Sequence, residues 1–209
     1  KKIKKDEKVN ELEISILGCF SALKNSNLIL RKLQNFKSKN KLFNQLILSQ
    51  INEPLEEENL KKTIKNYKSI NDEVSKKVKI QYEENPYPRW KCCNISISQN
   101  YIKCINDDIN PKVLAFNEKI FKPDVLIAGC GTGKHAISAS RYKDAKVLAI
   151  DLSLSSLAYA KRKVLDLNYN NFDFLNADIL EIKFSVSVSL RLSVINLAVP
   201  SAVFKAILP

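Results

Sequence analysis

The chain has 209 residues, 45% of them hydrophobic, enough to bury a real core and to form one domain with an appendage. No apolar run is long enough to cross a bilayer, and the basic start "KKIKKDEK" precedes no apolar segment of secretory length, which points to a soluble cytoplasmic protein. The formal net charge of +12 would attract anionic partners, but the lysines are scattered and no arginine-rich stripe carries interleaved aromatics, so nucleic-acid binding is not favoured.

Residues 9–52 alternate apolar and lysine/asparagine-rich stretches and read as two or three modest helices. Pro54 then opens a stretch with Glu56, Glu57 and Glu58 in a first turn, where the helix dipole favours carboxylates. Leu60, Ile64, Tyr67, Val74 and Val78 recur at helical spacing, which predicts one long amphipathic helix running from there into "KIQY". Pro86 and Pro88 in "ENPYPRW" end it. A short helical stretch follows within 96–118, and Pro123 precedes the strand-like "DVLIA". From here helix and strand alternate: a helix over 134–142, a strand "KVLAI" at 146–150, then the helix "SLSSLAYAKRKVLDL". That helix places Leu154, Leu157, Ala158, Val164 and Leu165 on one face and Lys161, Arg162 and Lys163 towards its end. A strand "FDFL" at 172–175 completes the series. The rhythm predicts an α/β domain with a parallel sheet. The domains expected are a helical region at 1–80, a connector at 81–122, and the α/β domain from 123 to 209.

Chemistry speaks most clearly at residues 124–136, "DVLIAGCGTGKHA". A triphosphate loop needs G-x-x-x-x-G-K-[ST], but Gly129 to Gly133 is one residue short and His135 replaces the hydroxyl. A dinucleotide fingerprint fits Gly131, Gly133 and Ala136 only in a register that begins late; starting at Gly129, where the strand ends, puts Lys134 at the close-packing position. The spacing Gly129, Gly131, Gly133 instead lets the backbone itself approach a ligand. Asp151 at the end of the next strand could accept from two ribose hydroxyls, which suits either kind of nucleoside ligand. Five cysteines, an odd number with no C-x-x-C pair, and a single histidine argue against a disulfide framework or zinc site. Cys130 reads as a small residue in a tight turn, and His135 as structural.

Taken together, "VLIAGCGTGKHAI", "VLAIDLSLSSLAYAKRK" and "NADIL" resemble the class I S-adenosylmethionine-dependent methyltransferases. The upstream "QYEENPYPRW" resembles a bacterial branch that carries this tract before the core, some members behind tetratricopeptide repeats. The resemblance implies a Rossmann-like fold and S-adenosylmethionine as methyl donor to an unknown acceptor. By it, Gly129, Cys130, Gly131, Thr132 and Gly133 would cradle the methionine and ribose portion. Asp151 would hold the ribose hydroxyls, Leu152 would lie against the adenine, and Asp178 after Ala177 would meet the adenine amino group. Many members have a carboxylate two residues before the first glycine; here Ile127 stands there. Tyr82, Tyr87, Arg89 and Trp90 are expected as a lid, with the aromatic faces towards the sulfonium and Arg89 towards the acceptor.

After Ile182 the family's expected continuation gives way to alternating Phe184, Val186, Val188, Leu190, Leu192 and Val194. The run reads as one long amphipathic strand, an aggregation hazard as an unpartnered edge. Residues 183–209 are therefore expected to be an atypical, truncated end of an incomplete sheet. The lack of any methionine likewise suggests a start inside a longer product. Two rival functions stand: a non-catalytic module whose N-terminal helices bind a protein partner, and a dinucleotide-dependent oxidoreductase, disfavoured by Lys134.

Overall fold

The computed structural model describes residues 10–108, 122–182 and 192–194. The chain divides into two compact units, Lys1–Asn59 and Leu60–Pro209. The first is helical, with α1 (Glu11–Phe20), α2 (Asn27–Leu33) and α3 (Lys41–Ile47); α3 runs on into a π-helical turn at Leu48–Asn52, and α4 (Glu53–Lys61) follows. Each of the first three helices begins where a short polar side chain takes up a free N–H: Asn10 accepts from Glu13, Ser26 from Ile29, Asn40 from Leu42 and Phe43. Leu23, Ile29, Leu33, Phe43, Ile47 and Ile51 form the buried centre of this unit. Gln50 clamps it, accepting from Leu23 N at 3.2 Å and donating to Gly18 O at 3.0 Å.

The second unit is built on five strands: β1 (Lys65–Asn66), β2 (Asp124–Ala128), β3 (Lys146–Asp151), β4 (Phe172–Asn176) and β5 (Leu192–Val194). Their spatial order is β1-β4-β3-β2-β5, and every pairing is parallel. Helices α5 (Glu73–Glu84), α6 (Tyr101–Asp108), α7 (Lys134–Ser138) and α8 (Leu154–Asp166) complete the unit. A parallel sheet covered on both faces needs continuous apolar strands, which is why β2 and β3 read as unbroken hydrophobic runs. Alternate residues divide between two cores: Val125, Ile127, Val147 and Ala149 join Leu157 and Ala158 of α8, while Leu126, Ala128 and Ile150 face Leu148, Leu175 and Ile179. From β2 to β3 to β4 the chain steps outward in one direction, and β5 lies on the other side of β2. The strand order thus reverses at β2. This is a Rossmann-like α/β fold, as the sequence predicts.

Three expectations need correction. The long helix predicted from Pro54 is instead α4, β1 and α5. Lys65 and Asn66 leave the helix to pair with Leu175 and Asn176 of β4, and Tyr67 N donates to Asn176 O at 3.0 Å. A new helix then starts at Asp72, whose side chain accepts from Ser75 N at 2.8 Å. Of the predicted stripe Ile64 is buried, whereas Val74 is 69% exposed. α5 accordingly belongs with the second unit.

The predicted stripe on α8 holds for Leu157, Ala158 and Val164, but Leu165 is about half exposed, and Arg162, near the end of the helix, is buried. Arg162 ion-pairs with Asp166 at 3.0 Å and lies over the Tyr159 ring at 5.1 Å, so its charge is matched one turn along the same helix.

Most of the alternating tail lies outside the described residues, but Leu192–Val194 form β5 and pair with Asp124–Leu126. That portion is a short strand with a partner. Among the described residues no helix is long and apolar enough to cross a membrane.

Candidate functional site

β2, β3 and β4 end side by side, and the turns that leave them carry most of the residues singled out above. After Ala128 the backbone enters the left-handed region at Gly129 (φ 67°), Gly131 (φ 53°) and Gly133 (φ 82°), where a side chain would be strained. The three glycines meet different surroundings. A Cβ at Gly129 or Gly131 would have nothing within 4 Å, so the backbone there borders open space. A Cβ at Gly133 would lie 2.6 Å from Cβ of Ala160. Gly133 therefore allows the start of α7 to press against α8.

The turn is pinned by its neighbours. Cys130 N donates to Ile150 O at 2.9 Å, and Gly133 N to Cys130 O at 2.9 Å. Gly131 N donates to Oδ2 of Asp151 at 2.8 Å, while Oδ1 accepts from Ser153 N at 2.9 Å. One carboxylate thus braces both the glycine turn and the loop into α8. Burial pushes the Asp151 carboxyl above its ordinary 3.8, hydrogen bonds from Ser153, Gly131 and Leu152 pull it back down, and the charge of Glu83 adds to the rise. Cys130 is buried in the turn, and burial and the Asp151 charge hold its thiol well above the ordinary 9.0.

From β4, Ala177 N donates to Asp151 O at 3.1 Å. Asn176, buried and not singled out in the sequence, donates through Nδ2 to Asp151 O at 2.9 Å and Leu152 O at 2.8 Å. It locks the ends of β3 and β4 together, and its only signal in the chain is an amide at a strand end. Leu152 is partly buried. Asp178 is buried and caps a 3₁₀ turn, its Oδ1 accepting from Leu180 N at 3.0 Å, while its Oδ2 is buried with no hydrogen-bond partner among the described residues. Ile127 is buried in the core, leaving no carboxylate at that point of β2. His135 is exposed in the short helix α7.

The upstream tract is sewn to this site, though not as the predicted aromatic lid. Trp90 is buried, donates from Nε1 to Thr132 O at 2.9 Å, and stands edge-on to Tyr159 with ring centroids 6.1 Å apart. Thr132 returns a bond from Oγ1 to Pro88 O at 2.6 Å, and the Tyr159 hydroxyl donates to Trp90 O. Arg89 lies over the Tyr159 ring at 4.5 Å. Trp90 and Arg89 thus spend their faces on α8, because the pocket beside Tyr159, Ile137 and Val164 buries an indole better than open solvent does. Tyr82 and Tyr87 keep exposed rings, Tyr82 contributing its backbone carbonyl to Ser153 Oγ at 3.0 Å.

Glu83, between these residues, also escaped the sequence reading. Burial raises its carboxyl, but hydrogen bonds from Ser155 and Ser153 and the charge of Lys61 outweigh that and leave it below the ordinary 4.5. A lowered folded value means that Glu83 stabilises the fold above the ordinary carboxylate range and that this contribution fades as the pH falls through the folded value. Glu83→Gln is expected to cost stability at neutral pH, with a smaller gap to the wild type at an acid pH well below the ordinary 4.5. Urea unfolding at both pH values checks it; an equal gap at the two would refute the assignment.

Residues 125–208 match the family described as "Methyltransferase domain", a match that takes in the stretch from Ile182 onward. No curated protein matches the chain. Among solved structures, PKMT2 from Rickettsia typhi in complex with AdoHcy is 28% identical over 31% of this chain and 13% of its own, with a TM-score of 0.27. A SAM-dependent methyltransferase from Aquifex aeolicus is 30% identical over 30% of this chain and 34% of its own, at a TM-score of 0.26. A dimethyladenosine transferase from Plasmodium falciparum is 30% identical over 30% of this chain and 22% of its own, also at 0.26. This chain spans about a third or less of each of them. The second unit carries, over residues 125–208, a match to the methyltransferase domain family, and the strands and turns of the site fall within it.

Proposed function

We propose that the site binds S-adenosylmethionine and that the protein, in the cytoplasm, takes part in methyl transfer to an acceptor presented beside it. The observation that carries this reading is the meeting, at the carboxyl ends of β2, β3 and β4, of an unobstructed glycine turn with two carboxylates, one of which keeps a buried oxygen without a hydrogen-bond partner among the described residues. Ligands of open α/β sheets bind at the carboxyl ends of the strands where strand order reverses, and here the order reverses at β2. The domain-family match over the same residues supports the choice of ligand class.

The residues fit the group. Gly129 and Gly131 offer backbone without a side chain in the way, so the methionine and ribose portion can approach closely. Asp151 accepts from Ser153 N on Oδ1 and from Gly131 N on Oδ2, with Leu152 N also contributing, and the acceptor capacity left on the carboxylate suits a ribose hydroxyl. Asp178 Oδ2, buried and unmatched among the described residues, suits the adenine amino group as donor. Leu152, partly buried, and Ala177 are the apolar residues next to these carboxylates in the chain. Once bound, the cofactor would supply an electrophilic sulfonium methyl for an acceptor's lone pair. The protein's share is to hold the donor still and in line, where positioning supplies much of the rate. Without a carboxylate at Ile127, the cofactor's ammonium group would be satisfied by backbone carbonyls or by another acidic residue. The upstream tract, in this reading the mark of the bacterial branch, serves by fixing Thr132 from behind.

Calorimetry with S-adenosylhomocysteine tests the reading, with NADH in parallel. Binding of the first alone is expected, and Asp151→Asn should weaken it by about tenfold or more, as loss of charged hydrogen bonds does. Silence towards S-adenosylhomocysteine, or a response to NADH only, would overturn it.

A further inference from the structure

The geometry points to Glu83 as a positioning residue that sets Asp151, and through it the glycine turn, from a separate helix. Glu83 stands in the last turn of α5, where no basic residue accompanies it and the helix dipole disfavours a carboxylate. Its place is explained by α8, whose positive end it meets. Oε2 accepts from Ser155 N at 3.1 Å and from Ser153 Oγ at 3.0 Å, and Oε1 accepts from Ser155 Oγ at 2.8 Å. Lys61 of α4 adds an ion pair at 3.5 Å. The Ser153 hydroxyl, whose one proton is shared between Glu83 and Tyr82 O, accepts in turn from Ser156 N at 3.1 Å.

Ser153 is the pivot. It is fully buried, its side chain is held by α5, and its backbone N–H is the donor to Asp151 Oδ1. With Oδ1 fixed there, Oδ2 is turned onto Gly131 N. The path therefore runs from Glu83 through Ser153 and Asp151 to Gly131, joining the tract upstream of the α/β core to the turn that meets the ligand. Without Glu83, the first turn of α8 loses a carboxylate acceptor and the Ser153 hydroxyl proton is left to Tyr82 O. For the ligand it serves, this inference rests on the methyl-transfer reading; the positioning itself does not.

The test is amide hydrogen exchange of Gly131, Ser153 and Ala149 in the ligand-free chain, for the wild type, Glu83→Ala and Glu83→Gln. Gly131 and Ser153 are expected to exchange about tenfold faster in Glu83→Ala, as befits loss of charged hydrogen bonds, with Glu83→Gln intermediate and Ala149 in the centre of β3 unchanged. Ser155→Ala should move the same two amides in the same direction by less. Unchanged exchange at Gly131 and Ser153 would overturn the inference, and so would acceleration shared equally by Ala149, which marks mere loss of fold. S-adenosylhomocysteine affinity is measured on the same samples. A wild type silent to it, with the exchange contrast present, removes the methyl-transfer reading and leaves Glu83 in its role. A wild type that binds, with no contrast in exchange, does the reverse.

Discussion

Gly133→Ala is expected to destabilise the protein by about 2–4 kcal/mol, the sum of a left-handed backbone penalty and of overpacking. The φ of 82° already disfavours a side chain, and the new methyl would sit 2.6 Å from Cβ of Ala160 and 3.1 Å from its Cα. Backbone lies behind that contact, so relief requires α7 or α8 to shift. Gly131→Ala provides the comparison, because its φ of 53° carries strain but its Cβ would meet nothing within 4 Å; its cost should stay near the backbone share of about 1–2 kcal/mol. Urea unfolding of the two variants should place Gly133→Ala clearly below Gly131→Ala. A double-mutant cycle with Ala160→Gly should recover part of the packing cost, because the 3.1 Å approach to the Ala160 Cα remains, and leave the backbone part. Equal stability of the two single variants would mean that the approach of α7 to α8 is not what Gly133 provides.

Trp90→Ala should cost about 3–5 kcal/mol, as truncation of a buried aromatic does. The ring fills the space between Ile137, Tyr159 and Val164, and its N–H satisfies a buried carbonyl at Thr132. Trp90→Phe retains most of the area but orphans that carbonyl, for an expected loss of about 1–3 kcal/mol. A mobile lid residue would behave otherwise: its truncation would change ligand affinity and leave unfolding alone. Unfolding curves therefore discriminate between the two roles directly, and a Trp90→Ala protein as stable as the wild type would restore the lid.

The parallel sheet was legible because β2 and β3 are continuous apolar runs stopped by turn residues, a pattern governed by burial on both faces. The glycine turn and Asp151 were legible for the same kind of reason: positive φ selects glycine, and a carboxylate ending a strand is conspicuous. What the sequence hid was held by tertiary partners. Lys65 and Asn66 have no strand signature of their own and adopt that state because β4 presents a free edge. Arg162 could not be foreseen as buried, since its matching charge and the Tyr159 ring arrive only when α8 docks. Trp90 looked available for a ligand because an indole beside two prolines carries no sign of which surface it covers. Glu83 was one of several glutamates in a lysine-rich helix until Ser153 and Ser155 were placed against it.

The two-residue strand β1 bears on where the α/β unit starts as an independent piece. By adding its backbone to the outer side of β4, it occupies groups that would otherwise invite a strand from a second molecule. A fragment cut at residue 122, where the sheet's long strands begin, would lose that cover along with Trp90. Such a fragment is expected to self-associate more than one starting at Leu60, which keeps the cover over Leu175 and Asn176.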